Sequence, residues 1–146
     1  ADIVITLDAD GQHDPKDINK ILQPIMNQSA DVVIGTRLIS RHGNMPFDRL
    51  VVNWLSNLIT RALFGIWTTD SQSGFRGFSR KAIHSLQLKT ERMEVSSEIF
   101  AEVGRHKLKL AEVPIKVIYT PYSQRKGQST LNAVHVFFKL LLRLAR

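Results

Sequence analysis

Apolar residues follow two rhythms along this chain. Residues 3–7, IVITL, form an unbroken run rich in β-branched side chains, which predicts a strand buried on both faces. DVVIGTR at 31–37 predicts a second buried strand. Between them, DPKDINKILQPIM changes to helical spacing, with Ile18, Ile21, Leu22 and Ile25 on one side. Asp14 is the expected N-cap, Pro15 the first helical position and Asp17 a first-turn residue, and Pro24 is expected to end or kink the helix. Together these segments predict a strand-helix-strand unit of the parallel, right-handed kind.

SRHGNMP at 40–46 reads as a loop. From Phe47 to about Trp67 the helical period returns, with Arg49, Asn53, Ser56, Asn57 and Thr60 as a polar stripe. Leu50, Val51, Trp54, Leu55, Leu58 and Ile59 form its apolar side. TTDSQSGFRGFSR reads as a Gly/Ser-rich connection, followed by helices near 80–86 and 94–105. LKLAEVPIKVIY at 108–119 alternates like a strand broken at Pro114, and TPYSQRKGQST is a basic loop. The last segment, LNAVHVFFKLLLRLAR, has a wide apolar face beside Lys139, Arg143 and Arg146, the pattern of a helix lying in a headgroup region.

The 146 residues fit one domain, and 43% hydrophobic against 23% charged residues argues for a packed core rather than disorder. Cysteine is absent, so neither disulfides nor thiolate metal sites are available, and any metal must be held by oxygen or imidazole. The net charge is +7, yet Asp2, Asp8, Asp10, Asp14 and Asp17 crowd the first seventeen residues, so the remainder is more basic still. Charge of that kind suits nucleic acid, anionic headgroups or phosphorylated substrates alike. No run approaches the ~18 apolar residues of a membrane-spanning helix, and none of these residues reads as a signal peptide. The chain starts inside a strand-like run and stops without a helix-ending signal, so both ends are expected to be cuts in a longer polypeptide.

The candidate chemistry lies in LDADGQHDP. In open parallel sheets ligands bind beyond the carboxyl ends of strands, where Asp8 and Asp10 would fall. Alternation would send both to one side, and a divalent cation is the economical reason to keep two such carboxylates ionised. Gln12 would add a neutral oxygen or a hydrogen bond, and Gly11 permits the turn. Oxygen ligands favour Mg²⁺ or Mn²⁺, which retain substrate phosphate oxygens as ligands. The same residues also satisfy a plain turn-and-cap reading. Arg37, past the second strand, and Arg49, at the start of the long helix, carry guanidinium forks suited to phosphate oxygens.

LDADGQHDP resembles the Asp-x-Asp element of family 2 glycosyltransferases, in the branch similar to dolichyl-phosphate mannose synthase and other polyprenyl-phosphate glycosyltransferases. DVVIGTR resembles the family's Gly-Ser/Thr-Arg strand end, DSQSGFRGFSR its Asp-x-x-Ser-Gly-Phe-Arg segment, AEVPI its Glu-Val-Pro-Ile strand and RKGQSTL its Arg-x-x-Gly-x-Ser loop. Five matches in order across residues 3–131 are far more specific than one.

The resemblance implies an α/β fold, a partial GT-A domain (Rossmann-like, a mixed sheet with flanking helices) over residues 1–131, whose N-terminal nucleotide-binding half is missing. Residues 132–146 would be an appended amphipathic, membrane-interfacial helix. It implies an inverting enzyme that moves a sugar from a UDP- or GDP-linked nucleotide-diphosphate sugar to a polyprenyl phosphate, at the cytoplasmic face of a membrane, with Mg²⁺ or Mn²⁺. Nucleic acid is not an expected partner. The truncated chain alone is expected to be inactive and, with an exposed apolar sheet edge, to self-associate.

By position, the resemblance gives Asp8, Asp10 and Gln12 the metal and donor diphosphate. Arg37 and Arg49 would grip a phosphate, and Arg125, Lys126 and Ser129 would lie in the loop that closes over the donor. Asp70, Ser73, Gly74 and Phe75 would lie near the acceptor, with Asp70 positioning rather than acting as a base, because a phosphate acceptor is already an anion. His13 is given a turn role and Glu98 that of a solvated helix residue. Two rivals stand beside this reading. One is an Asp-nucleophile phosphatase, against which Gln12 stands where such enzymes carry Thr or Val. The other is a basic membrane- or nucleic-acid-binding module with a Ca²⁺ loop, against which His13 and Asn19 replace the Gly and Glu of an EF-hand.

Overall fold

The computed structural model describes residues 1–37, 47–89 and 94–118, without the side chains of Asp48, Arg49 and Glu94. β1 (Ile3–Thr6) leads through a turn and a short 3-10 segment, Pro15–Asp17, into α1 (Ile18–Met26) and then β2 (Val32–Thr36). Asp14 caps the 3-10 segment by accepting from the Lys16 amide at 3.0 Å, with Pro15 inside its first turn as expected. Pro24 does not end α1, which runs two residues further to Met26. The Pro24 carbonyl instead takes the amides of Ser29 and Ala30, each at 3.0 Å, and closes the turn into β2.

α2 (Phe47–Phe64), β3 (Arg76–Ser79), α3 (Arg80–Ser85), α4 (Glu94–Arg105) and β4 (Leu110–Pro114) complete the order. The sheet is mixed, β1-β3-β2-β4, with β3 antiparallel to both β1 and β2 and β4 parallel to β2. β1 and β2 run parallel, as the strand-helix-strand reading expects, although β3 lies between them. Two expectations are corrected. FRGFS, read as a connection, supplies β3. β1 is also only half-buried, with Thr6 and Leu7 exposed, since it is the outermost strand among the described residues.

Alternation on the strands builds a core on each face. Val33, Phe75 and Ile115 pack with Ile21 and Ile25 of α1 on one side. Val32 and Phe78 pack with Ala82, Ile99, Val103 and Leu108 on the other. The result is an α/β layering of helix, sheet and helices.

α2 turns the expected amphipathicity inside out. Asn53, Asn57 and Thr60, the polar stripe, are buried at 3%, 7% and 6% exposure. Trp54 is 63% exposed, and Phe47, Leu50, Val51, Leu55 and Leu58 are exposed with it. The period was legible but the sign was not, because α2 faces a polar loop whose backbone it must satisfy.

Candidate active site

Three strands end, and one begins, at the same edge of the sheet. β1, β2 and β4 run toward it, and antiparallel β3 brings residues 68–75 back across it. The sequence motifs gather there.

Asp8 lies two residues beyond β1, with its side chain 60% exposed. β1 stops at Thr6, so strand alternation does not govern the carboxylates as expected; Asp10 turns back, and its Oδ1 accepts from the Gln12 amide at 3.0 Å. Gly11, at φ +75, makes the turn that a side chain would strain. Gly74 approaches so closely that a Cβ there would collide with the Asp8 carboxylate. The Thr6 hydroxyl donates to the Gly74 carbonyl at 3.1 Å and fixes this contact.

His13 does more than turn the chain. It is buried against Phe75, with ring centroids 5.2 Å apart, and its Nε2 lies 3.7 Å from Asp8 Oδ2. The His13 imidazole facing it holds the Asp8 carboxyl below the usual carboxylate range, against burial that would raise it, and the charges of Arg37 and Arg76 add to the lowering. His13 also bridges to Val117, and the Gln12 carbonyl accepts from the Ile118 amide at 2.9 Å. Asp17 ties the same two segments together: its buried carboxylate accepts from the Lys116 amide at 2.6 Å and pairs with Lys20 at 2.7 Å.

Arg37 and Asp70 meet as a fork. Arg37 Nε and a terminal nitrogen each donate to the Asp70 carboxylate at 2.7 Å, and the Arg37 amide donates to Oδ2 at 3.1 Å. Asp70 is fully buried, whereas the Arg37 side chain keeps 21% exposure. Asp70 therefore holds Arg37. The buried Ser73 sends its carbonyl to Arg76 Nε at 2.8 Å.

Sequence reasoning gave no role to four residues that build this site. Arg76, 3% exposed, also donates to the Ser71 carbonyl and the Ser96 hydroxyl, both at 3.0 Å, and lies over the Phe100 ring. Burial lowers its pKa to about 10 against the opposing pull of Asp70 and Asp8, so it remains a cation at neutral pH. Asn53 and Asn57 both donate to the Thr69 carbonyl, at 2.9 and 2.6 Å, and Asn57 Oδ1 accepts from the Ser71 amide at 2.9 Å. Glu112 binds the loop from β4. The signal was an amide pair four residues apart on one helix face, which is unusual on a merely solvated stripe. Glu98 is half-buried and accepts from the Lys89 amide at 2.9 Å. The expectations for Arg49, Arg125, Lys126, Ser129 and the helix at 132–146 lie outside the described residues and side chains.

Asp8, Asp10 and Gln12 carry the oxygen donors that a hard cation prefers, with the Asp8 carboxylate exposed and Asp10 Oδ1 accepting from the Gln12 amide. Among the described residues no third carboxylate or imidazole joins them in a metal-holding cluster.

Known proteins resemble this chain closely. It is 43% identical over 144 residues to an uncharacterized protein of Methanocaldococcus jannaschii, covering 96% of this chain and 59% of that protein. It is 44% identical over 146 residues to a UDP-N-acetylglucosamine–dolichyl-phosphate N-acetylglucosaminyltransferase of Methanococcus voltae, covering 97% and 58%. An undecaprenyl-phosphate mannosyltransferase of Micrococcus luteus is 25% identical over 130 residues, covering 86% and 53%. The chain thus spans less than two thirds of each of these relatives. The family model described as glycosyl transferase family 2 matches residues 1–87, which hold the Asp8–Gln12 turn, Arg37 and the Asp70–Gly74 loop. The chain belongs to glycosyl transferase family 2.

Proposed function

We propose that the whole protein moves a sugar, with inversion, from a UDP- or GDP-linked sugar to a polyprenyl phosphate at the cytoplasmic face of a membrane. The observation that carries this reading is the contact of Gly74 with the Asp8 carboxylate, beside the Asp70–Arg37 fork. It joins the carboxylates suited to a metal-bound diphosphate to the segment suited to an anionic acceptor. Relatives named for transfer to dolichyl and undecaprenyl phosphate support the choice of acceptor.

Asp8, Asp10 and Gln12 would hold Mg²⁺ or Mn²⁺ together with the donor diphosphate. The cation supplies Lewis-acid stabilisation of the departing nucleotide. Arg37, held by Asp70, brings its guanidinium to the site already ordered, which suits a group that meets a phosphate. Asp70 is fully buried and doubly engaged by Arg37, so it is not placed to take a proton. None needs taking, since a phosphate oxygen attacks as an anion. Direct attack by the acceptor is a single displacement, which inverts the anomeric centre.

The outward face of α2 supports the choice of a membrane surface. It carries Phe47, Leu50, Val51, Trp54, Leu55 and Leu58, and Trp67 nearby lies under Arg61 at 5.1 Å. Aromatic rings with an adjacent cation suit the headgroup boundary of an anionic bilayer. Among the described residues no helix is long and apolar enough to cross a membrane.

The test is calorimetric titration of the whole protein with UDP and GDP, with and without Mn²⁺. One nucleotide should bind in a metal-dependent way, and Asp10→Ala should abolish that binding while leaving the fold intact. Binding of neither nucleotide, or binding indifferent to Asp10→Ala, would refute the donor-site reading.

A further inference from the structure

Glu112 lies in β4, opposite Ile34 of β2, and takes no part in the reaction described above. Both oxygens of its carboxylate are nonetheless engaged. Oε1 accepts from the Thr68 hydroxyl at 2.5 Å and from the Thr69 amide at 2.8 Å, and Oε2 accepts from the Thr69 hydroxyl at 3.0 Å. Because the single Thr69 proton points to Glu112, the 2.8 Å contact between the Thr36 and Thr69 hydroxyls has Thr36 as donor.

Thr36 immediately precedes Arg37, and Thr69 immediately precedes Asp70. Two rungs therefore join the end of β2 to the 68–73 loop. One is the Thr36–Thr69 hydroxyl contact, and the next is the Arg37–Asp70 fork. Asn53 and Asn57 hold the other side of the loop through the Thr69 carbonyl, so Glu112 and α2 grip the residue before Asp70 from opposite sides. Thr68, wholly buried, adds its hydroxyl to the Asp70 amide at 3.3 Å.

We propose that Glu112 is a positioning residue, setting the Asp70–Arg37 fork through Thr68 and Thr69. Its consequence for turnover rests on the transfer reaction proposed above, whereas its consequence for the fork does not. A charged acceptor is required here for a specific reason. Three donors converge on two oxygens, and Glu112→Gln places an N–H₂ where Oε2 stood. The Thr69 amide needs an acceptor, so the amide oxygen must keep the Oε1 position and Nε2 must face Thr69 Oγ1. The Thr69 proton then has to turn toward Thr36, which reverses the donor order on the first rung and disturbs the second.

The experiment compares Glu112→Gln with the unaltered whole protein in two ways. Amide-resolved hydrogen exchange reads the Arg37 N–H, which donates to Asp70 and not to Glu112. Turnover is measured in the native and Arg37→Ala backgrounds. The expected result is faster exchange at the Arg37 amide, with kcat falling on the order of 10- to 100-fold in the native background. In the Arg37→Ala background the further loss should be less than about threefold, because the residue through which Glu112 acts is already gone. An unchanged Arg37 amide overturns the proposal, as does an equal loss in both backgrounds. If no form of the protein transfers sugar, the reaction reading falls and the exchange result alone decides for or against the positioning role. Should Glu112→Gln fail to fold, Thr69→Val removes the hydroxyl that joins Glu112 to Thr36 while leaving the residue 69 amide on Oε1, and is read in the same way.

Discussion

Gly74→Ala separates catalytic placement from packing. The new Cβ would meet Oδ1, Oδ2 and Cγ of Asp8, so the carboxylate must swing away. Asp8 is 60% exposed at its side chain and has solvent to swing into, so the fold loses little more than a displaced rotamer, about 0.5–1.5 kcal/mol. In a protein of this size that amounts to a fall in Tm of roughly 2–6 °C. On the proposed role of Asp8 in holding the cation the site loses far more, since displacing that carboxylate by about an ångström would cost on the order of 100-fold in rate. Gly77→Ala is the control. Its Cβ would lie 2.5 Å from Ile21 Cγ2 and 3.0 Å from Ile25 Cδ1, deep in the core. Overpacking there costs about 1–3 kcal/mol without touching Asp8. The assay is sugar transfer to polyprenyl phosphate by the whole protein, normalised to the folded fraction, alongside thermal unfolding. Gly74→Ala should lose activity with a small change in Tm, and Gly77→Ala should show the opposite. Full turnover in Gly74→Ala would refute the requirement for Asp8 where the structure places it.

Two further outcomes are expected. Burial opposes ionisation of Asp17, but Lys20 and the Lys116 amide outweigh it and hold the carboxyl below its usual range. A depressed folded-state pKa contributes stability that is present above the unfolded value of about 4 and lost as pH falls through the folded value. Denaturant unfolding across that acid range should therefore show a shallower loss for Asp17→Asn, and an unchanged slope would exclude Asp17 as its source. On α2, Asn57→Leu should destabilise by about 1–3 kcal/mol by stranding the buried Ser71 amide, whereas Trp54→Ser should cost under about 0.5 kcal/mol. Trp54→Ser should instead weaken sedimentation with anionic vesicles by about tenfold, from lost apolar burial. The reverse ranking in either measurement would mean that the two faces of α2 have been exchanged.

The elements carried by local chemistry were legible from the residues. Val32–Thr36 declared itself as a buried strand, Asp14–Pro15 as a helix entry, and the ordered motifs pointed to the family. β3 was hidden because Arg76, Gly77 and Ser79 lack strand character; the strand exists because Ser71 and Ser73 carbonyls receive the guanidinium and because Ile21 presses where Gly77 has no side chain. α2 misled for a related reason. Hydrophobic periodicity locates two faces of a helix, but only the partner decides which is inward, and here the partner is the Thr69–Ser71 backbone. Glu112 lay within a recognised segment, yet its three donors come from residues more than forty positions away, which no spacing reveals.

The burial of Arg76 also governs which residues of β3 can face which layer. Phe75 and Gly77 look toward α1, while Arg76 and Phe78 look toward α4. A slip of one residue would present a guanidinium to Ile21, where even a methyl group does not fit, and would strip it of its carbonyl and hydroxyl partners. A four-residue strand offers few ladder bonds with which to choose its register. Here a single charge forbids the alternative, so the loop ahead of β3 always arrives at the sheet edge in the same phase, with Asp70 on Arg37 and Gly74 on Asp8.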